Sequence, residues 1–360
     1  MIVVFVCNKY SPAHIYSIES YAEIFDSKGI DTFLLTDFLT NGQKFDLTKT
    51  KLANLDQLNL LNCKEVVFFF VSPNVNNIKT IKTINKKMPE SKSVYLYHEP
   101  INRQVCKEIF KDRGFSFKTL KYVFGLKLFN GKRLVRKFDH IILPSLNSNS
   151  IYESCRFFKK TSHSIIHLLF SKKENKCIEE RVFISYIGTI ANNHGFFEFI
   201  NYLMSDKTLP NASFLIATSS ALDDRIRSSL INKFGEKIVI YSGSFMSDDF
   251  ISKLYNQTKV LWLGYKHSAQ SGVLPMAFMN GTPIICSEIP AFNEFVQNGI
   301  NCELINIDDY DSINRGIDKI TKNFNSYHKG CIDSYFSFFN PKANEDKVLS
   351  TFKNLFLNNK

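Results

Sequence analysis

Short apolar runs alternate along the chain with longer stretches in which polar and apolar positions follow helical spacing. Two such stretches, Ile15–Lys28 and Val75–Lys87, separate neighbouring runs in the first half. Uninterrupted apolar runs of this length predict strands buried on both faces of a parallel sheet, because covering helices leave no polar face. The predicted strands are Ile2–Cys7, Asp31–Leu35, Val66–Val71, Ser93–Tyr97, His140–Leu143, Ser164–Leu169, Val182–Ile187, Ser213–Thr218, Lys237–Tyr241, Val260–Leu263, Pro283–Cys286 and Cys302–Ile305.

A polar break at Ser171–Lys176 divides these strands into two groups. Strands that alternate with helices predict right-handed βαβ units, and a chain of 360 residues is long enough for two domains. We therefore expect an α/β protein of two doubly wound, Rossmann-like domains. The expected divisions are 1–170, a linker at 171–180, a second domain at 181–340 and a C-terminal helix at 341–360.

The most informative stretch is Val260–Asn301, which predicts strand, loop, helix and strand in succession. Ser271-Gly272 precedes a helix that begins no later than Pro275, since proline is tolerated only in a first helical turn. Asn280-Gly281 ends that helix. A strand that delivers a Ser-Gly loop onto a helix N-terminus forms an anion site, although an ordinary βα turn has the same pattern.

Composition excludes several classes of protein. The chain is 44% hydrophobic and 22% charged, and no apolar run approaches the roughly 20 residues of a membrane span. The N-terminus lacks a basic lead and predicts a first strand and no signal peptide. The eight cysteines are scattered without CxxC spacing, which indicates a reduced, cytoplasmic protein without a zinc site.

The net charge of +11 predicts an acidic partner, and the segment Arg103–Lys137 carries most of it. Eleven basic residues oppose only Glu108 and Asp112 there, for a net +9, and ten Phe, Tyr or Leu residues are interleaved with them. This composition is typical of a segment that lies on an anionic bilayer surface. A solvated helix pair packed on its own domain is the alternative, and nucleic acid is a weaker one because no binding motif accompanies the charges.

Ligands of doubly wound sheets bind outside the carboxyl ends of the strands, so the loops at those ends are the places to look for chemistry. Five loops qualify there. They are Asn8–His14, His98–Pro100, Gly188–Gly195, Ser242–Phe245 and Tyr265–Gly272.

In the first half, His98 beside Glu99 combines an imidazole with a carboxylate at a strand end. Such a pair binds a substrate hydroxyl or transfers a proton, and it also occurs as a simple helix cap. His14 lies where a loop meets a helix and is open to the same two interpretations.

In the second half, Gly188 permits close approach of a phosphate to the backbone, and His194 could meet that phosphate with its side chain. Gly243 predicts a turn against which a flat base can lie.

Taken in order, the second-half motifs resemble those of GT-B-fold glycosyltransferases of the large family 4 type. In the first half only His98 and Ile142–Ser145 match the family, so the resemblance of that half depends on its predicted architecture. The matching segments of the second half are Phe183–Gly188, Asn193–Gly195, Ile238–Gly243, Leu254-Tyr255, Val260–Leu263, Ser271–Ile285, Ser287–Pro290 and Glu294 with Asn298-Gly299.

The resemblance implies a GT-B fold with two Rossmann-like domains facing a central cleft and a C-terminal helix that returns to the first domain. It implies transfer of a sugar from a UDP- or GDP-sugar, with retention of configuration and without a metal or other cofactor. His98 and Glu99 are the catalytic candidates, and Tyr10 and His14 the acceptor-binding ones. The donor-binding candidates are Gly188, Thr189, His194, Gly243, Ser244, Phe245, Lys266, Ser271, Gly272 and Val273.

The chain departs from the family at the donor site. Ser268 and Met276 stand where two glutamates usually flank the phosphate loop, the second of which holds the donor ribose. The arginine and lysine that usually pair with the diphosphate fall on Thr189 and His194. Lys266 and His267 are the candidates for replacement charge, and Glu288 or Glu294 for a hydroxyl contact.

These observations predict a hexosyltransferase that extends a lipid-linked oligosaccharide for a bacterial surface polysaccharide such as O-antigen or capsule. We expect a cytoplasmic enzyme held on the inner face of the membrane through Arg103–Lys137, with no nucleic-acid partner. Because Met276 replaces an acid, a degenerate GT-B protein that binds without transferring is the alternative. An epimerase or phosphorylase of the same fold is a further alternative.

Overall fold

A computed structural model describes residues 1–7, 12–36, 49–52, 55–59, 63–72, 76–98, 100–125, 134–155, 161–171, 180–268 and 270–357. The chain forms two compact units, one of Met1–Ser171 with Phe339–Lys360 and the other of Lys172–Phe338. Tyr10, Glu99 and residues 126–133 of the basic segment lie outside the described residues.

The first unit is built on a parallel sheet in the order β3-β2-β1-β4-β5-β6-β7. Its strands are β1 (Ile2–Val6), β2 (Thr32–Leu35), β3 (Lys51–Leu52), β4 (Val66–Phe70), β5 (Lys92–Leu96), β6 (His140–Leu143) and β7 (His163–Ile165). The helices are α1 (Pro12–Asp26), α2 (Leu55–Asn59), α3 (Asn77–Lys87), α4 (Arg103–Arg113), α5 (Phe117–Gly125) and α6 (Leu146–Glu153). Because β1 and β4 are neighbours, the direction of winding reverses between them, and this reversal is the switch point of the sheet.

The C-terminal helix α13 (Pro341–Leu357) belongs to this first unit. Its Phe352 ring lies 5.0 Å from the ring of Phe25 in α1 and 5.3 Å from that of Phe69 in β4. Packing over α1 and the sheet buries Phe352 completely. The expected return of the C-terminal helix to the first domain is confirmed.

The second unit contains a parallel sheet in the order β10-β9-β8-β11-β12-β13. Its switch point lies between the adjacent strands β8 and β11, while β10 is an edge strand. The strands are β8 (Phe183–Ile187), β9 (Ser213–Thr218), β10 (Ile238–Ser242), β11 (Thr258–Leu263), β12 (Ile284–Cys286) and β13 (Cys302–Leu304). The helices are α7 (Phe196–Met204), α8 (Asp224–Phe234), α9 (Asp248–Gln257), α10 (Val273–Met279), α11 (Tyr310–Lys322) and α12 (Phe324–Ser334).

Two parallel α/β units confirm the predicted fold class, and every predicted strand has a counterpart. The strand predicted at Ser164–Leu169 is shorter than expected, since pairing ends at Ile165. The residues that follow stay apolar and buried for another reason: Leu169 joins the core of the first unit and Phe170 donates its amide to Phe339 O at 3.0 Å. Within the described ranges, no helix is long and apolar enough to cross a bilayer.

Candidate functional site

The switch point of the second unit brings two of the predicted loops together. The loop 188–195 leaves the carboxyl end of β8, and the residues 264–268 and 270–272 follow the carboxyl end of the adjacent strand β11. In doubly wound sheets this position, outside the carboxyl ends at the switch point, is where ligands bind. The geometry of these two loops therefore defines the candidate site.

The backbones of the two loops touch at a pair of glycines. Gly195 has a left-handed conformation at φ 70° and ψ 22°, and a Cβ atom added to it would lie 1.8 Å from the carbonyl oxygen of Gly264. The Trp262 indole Nε1 donates to Gly195 O at 3.0 Å, and the Lys266 amide donates to Asn193 O at 3.0 Å. Only glycine fits at position 195, and the two loops form one surface.

His194 contributes a flat, neutral ring to this surface. Its imidazole stacks on the Tyr265 ring at 4.6 Å and 9°, and its Nδ1 lies 3.3 Å from Thr189 O. Burial is the main cause that lowers the pKa of His194 from 6.5, with His267 adding to the effect and the Thr189 carbonyl opposing it. His194 is thus neutral at pH 7 and does not replace the charge of the lysine that the resembled family has there.

Lys266 supplies the positive charge at the junction of the two loops. Its Nζ lies 2.6 Å from Oε1 of Glu198 in the first turn of α7, and its side chain is 41% exposed. Glu198 is 14% exposed, and its Oε2 is buried without a hydrogen-bond partner among the described residues. An ammonium group has three donors, so Lys266 can hold Glu198 and a ligand anion together.

The sequence reasoning missed Glu198. An acid in the first turn of a helix is common because it stabilises the helix dipole. Position alone therefore does not distinguish Glu198 from an ordinary first-turn acid. Its pairing with Lys266 across 68 positions of sequence depends on the tertiary contact between the two loops.

At the start of α10, the structure has the predicted turn and helix N-terminus but lacks other groups expected of a phosphate and ribose site. Ser271 Oγ accepts a hydrogen bond from the Val273 amide at 3.2 Å, and the helix that follows has seven residues. Met276 is buried, so no acid and no polar group takes the position at which the family usually binds the ribose. Gly188 donates its amide to Ala217 O at 3.0 Å, and it therefore offers no amide to a phosphate.

The remaining donor candidates lie beside the edge strand β10. Gly243 has φ 80° and donates its amide to Ser220 O at 3.0 Å, turning the chain at the carboxyl end of the strand. An open cavity of about 580 Å³ follows the turn. Its lining includes Arg227, Tyr241, Ser242, Ser244, Phe245 and Phe250.

In the first unit, two predicted residues come together at the carboxyl edge of the sheet. The rings of His14 and His98 are 5.9 Å apart, and His98 Nε2 lies 3.2 Å from Val71 O. A nitrogen facing a carbonyl must donate, so Nε2 carries the proton and Nδ1 has acceptor character. Burial, with His14 adding to it, lowers the pKa of His98 to about 4, and the ring is neutral at pH 7.

Comparison with known proteins identifies the second unit. Residues 181–323 match the family model of the glycosyl transferases group 1. The second unit is therefore similar to the group 1 glycosyl transferases. The resemblance drawn from Ser271–Ile285 and the neighbouring motifs is confirmed at this level, whereas the surface-polysaccharide subset stays a prediction. No curated protein sequence matches the chain.

Solved structures match the GT-B chain along its whole length. Sucrose-phosphate synthase from Thermosynechococcus elongatus aligns with a TM-score of 0.68 and 12% identity, covering 99% of this chain and 100% of its own. HepE of Anabaena, in complex with UDP and glucose, aligns with a TM-score of 0.66 and 12% identity, covering 98% of this chain and 100% of its own. The pneumococcal O-GlcNAc transferase GtfA, in complex with UDP and GlcNAc, aligns with a TM-score of 0.65 and 11% identity, covering 99% of each chain. At these identities the likeness establishes the fold.

Among the residues that the structure describes, no group of three or more histidine, cysteine or acidic side chains is arranged to hold a metal ion. The site residues fall into three places: the switch point of the second unit, the cavity at β10, and the histidine pair of the first unit.

Proposed function

We propose that the protein transfers a sugar from a nucleotide-sugar donor, and that the second unit holds the donor. The observation that carries the proposal is the Lys266–Glu198 pair at the switch point of a unit similar to the group 1 glycosyl transferases. Transfer leaves a nucleoside diphosphate with growing negative charge. A cation already fixed beside the leaving diphosphate stabilises that charge without reorganisation.

The side chains around Lys266 fit a metal-free mechanism of this kind. Ser271 and the neutral rings of His194 and Tyr265 offer polar contacts, while the fixed lysine supplies charge. We propose a UDP- or GDP-sugar as donor and a hexosyl group as the transferred unit, with retention of configuration. The solved relatives that contain UDP with glucose or GlcNAc support the choice of donor class.

On the first unit, we propose that His98 binds a substrate hydroxyl group through its neutral imidazole, with His14 beside it. Glu99 as a second catalytic group and Tyr10 as an acceptor contact lie outside the described residues and stay predictions.

The test is a donor panel with the full-length protein. UDP-glucose, UDP-GlcNAc, UDP-galactose, GDP-mannose and dTDP-rhamnose are incubated with polyprenyl-diphosphate-linked oligosaccharides, and nucleotide release is measured. We expect release from one donor only when acceptor is present. If titration calorimetry shows no binding of UDP, GDP or dTDP and no donor is consumed, the protein is a binding or scaffold protein and the proposed transfer is wrong.

The acceptor side of the proposal rests on an outward apolar stripe of α5. Phe117, Leu120 and Phe124 follow one another at helical spacing and are 83%, 46% and 62% exposed. Thr119 and Val123 are buried, so the helix packs on its unit through a different face. The stripe is therefore not required by the fold of this unit.

Positive charge surrounds the stripe. Lys118 and Lys121 flank it on α5, and Phe115, 84% exposed, extends the apolar surface at the turn before α5. The Arg113 guanidinium lies 4.3 Å above the ring of Tyr122. An apolar stripe with a cationic rim is complementary to an anionic lipid surface. We propose that the protein acts on a lipid-linked oligosaccharide at the inner face of the cytoplasmic membrane, in surface-polysaccharide synthesis.

Vesicle sedimentation tests the membrane contact. On vesicles containing anionic lipid, we expect Lys118→Gln with Lys121→Gln to weaken binding about thirtyfold, because each lysine contributes about 1 kcal/mol near the surface. Replacing Phe117, Leu120 and Phe124 by serine should weaken it about a hundredfold, since three large apolar groups leave the bilayer.

The matched control removes two exposed lysines of α3 in the same unit, by Lys82→Gln with Lys86→Gln. Equal weakening by both lysine pairs would indicate a general charge effect with no defined surface. Unchanged binding of the serine variant would overturn the proposed contact.

A further inference from the structure

The cavity at β10 has a place in the donor site if the proposed function holds. β10 is separated from β8 by one strand, which at a spacing of about 4.8 Å puts the cavity roughly 10 Å from the switch point along the same sheet. Both places lie at carboxyl ends of parallel strands, and therefore at one edge of the sheet. In a nucleoside diphosphate the ribose separates the base from the phosphates, so a donor bound at the switch point reaches toward this cavity.

One wall of the cavity is a charged donor. Arg227 in the first turn of α8 donates through Nη2 to Ser242 Oγ at 2.6 Å, which fixes the guanidinium at the end of β10. Among the described residues Arg227 forms no ion pair. A guanidinium has five N–H donors and no acceptor, so the group presented to the cavity can pair only with an acceptor.

Two aromatic rings make another part of the cavity lining apolar. Tyr241 and Phe245 line the cavity and are 40% and 66% exposed. The Tyr241 ring is held edge-on by Phe250, with 5.0 Å between centroids and 88° between planes. Exposed aromatic faces of this kind stack on nucleobases whatever the base sequence or type. Stacking alone therefore gives affinity without selecting a base.

If the nucleobase of the donor lies in this cavity, we propose that Arg227 selects bases with a carbonyl oxygen at ring position 4 of a pyrimidine or 6 of a purine, namely uracil, thymine and guanine. Arginine pairs well with carbonyl and ring-nitrogen acceptors, as it does with guanine. Cytosine and adenine place an amino group at the corresponding edge, and an amino group facing a guanidinium leaves two donors unpaired. A site built on a directed hydrogen bond rejects an analogue that lacks its partner.

Titration calorimetry with UDP, dTDP, GDP, CDP and ADP tests this selection. We expect at least one keto-base nucleotide to bind the wild-type protein about tenfold or more tightly than CDP and ADP. In Arg227→Met, the ratio of the affinity for that keto-base nucleotide to the affinity for CDP or ADP should fall below about threefold, mainly because the keto-base nucleotide binds more weakly. Arg227→Gln, which keeps one pair of donors, should retain part of the ratio, and Phe245→Ser should weaken all nucleotides alike.

Arg225→Met is the matched control, because Arg225 is an exposed arginine on the same helix and does not line the cavity. The ratio should be unchanged in it. A wild-type protein that binds nucleotides without discriminating keto from amino bases, or an Arg227→Met variant that keeps the ratio, overturns the selection and leaves the proposed transfer standing. A wild-type protein that binds no nucleotide overturns both.

Discussion

Replacing Arg181 by alanine should lower the free energy of unfolding of the second unit by about 3 kcal/mol, because a half-buried cation with several acceptors is removed. Burial lowers the pKa of Arg181 to about 10, and the guanidinium stays charged at pH 7. No carboxylate contacts it within the described residues. Its hydrogen bonds run to the carbonyl oxygens of Tyr255 at 3.0 Å, Thr258 at 3.1 Å and Asn280 at 2.6 Å, and to Thr282 Oγ1 at 3.1 Å.

These contacts tie together the end of α9, the start of β11 and the end of α10. Hydrogen bonds from a charged donor are worth about 1.5–3 kcal/mol each, and water that enters the vacated space recovers part of their sum. The loss should therefore be large and confined to the second unit, since all the acceptors belong to that unit.

The single tryptophan makes the measurement specific. Trp262 is the only tryptophan of the chain and lies in the core of the second unit, so its fluorescence follows urea unfolding of that unit. Arg315→Ala is the control, because Arg315 is 66% exposed and its Nη2 lies 3.5 Å from Asp309. A surface pair of this kind contributes about 0.5 kcal/mol or less. Equal midpoints for the two variants would show that the Arg181 contacts do not hold the unit together.

The parallel sheets were predictable because burial on both faces leaves a signature in the sequence. Val66–Phe70 is a fully buried strand and reads as an unbroken apolar run. β3 was not predictable, since it consists of Lys51 and Leu52, both exposed, and it pairs with β2 through backbone groups alone. A strand without a buried face has no pattern by which to be recognised.

The candidate site was also predictable only in part. The loop positions of His194 and Lys266 follow from strand ends, and these were identified. The partners of these side chains were not, because they depend on contacts between distant segments: the pairing of Lys266 with Glu198, the stacking of His194 on Tyr265, and the use of the Gly188 amide in the sheet. Burial also decides the charge state of His194, and no motif encodes that burial.

In the second sheet, the polar groups at the amino ends of the strands differ in role from those at the carboxyl ends. At the amino ends, Arg181 binds acceptors of its own unit and has a structural role. At the carboxyl ends, Glu198 Oε2 has no hydrogen-bond partner in the part of the chain that the structure describes, and Lys266 retains donors beyond its ion pair. Incompletely satisfied polar groups at one end of a sheet are expected where a ligand binds.

Gly195→Ala should disrupt the carboxyl end specifically. The new Cβ would lie 1.8 Å from Gly264 O, so the loop after β8 and the loop after β11 must separate. Left-handed strain costs about 1 kcal/mol for a residue with a Cβ, and a forced backbone shift adds about 1–3 kcal/mol. Because Lys266 and His194 belong to these loops, we also expect UDP affinity, measured by calorimetry, to fall more than about tenfold.

Gly299→Ala separates strain from collision. Gly299 lies in the same unit with φ 79°, and a Cβ atom there would meet nothing within 4 Å. It should therefore lose about 1 kcal/mol through strain alone and keep its UDP affinity. If Gly195→Ala loses no more stability than Gly299→Ala and binds UDP equally well, the contact between the two loops is not what forms the site. A loss of affinity confined to Gly195→Ala indicates that the glycine is required because the loops must touch for the lysine and the histidine to meet one ligand.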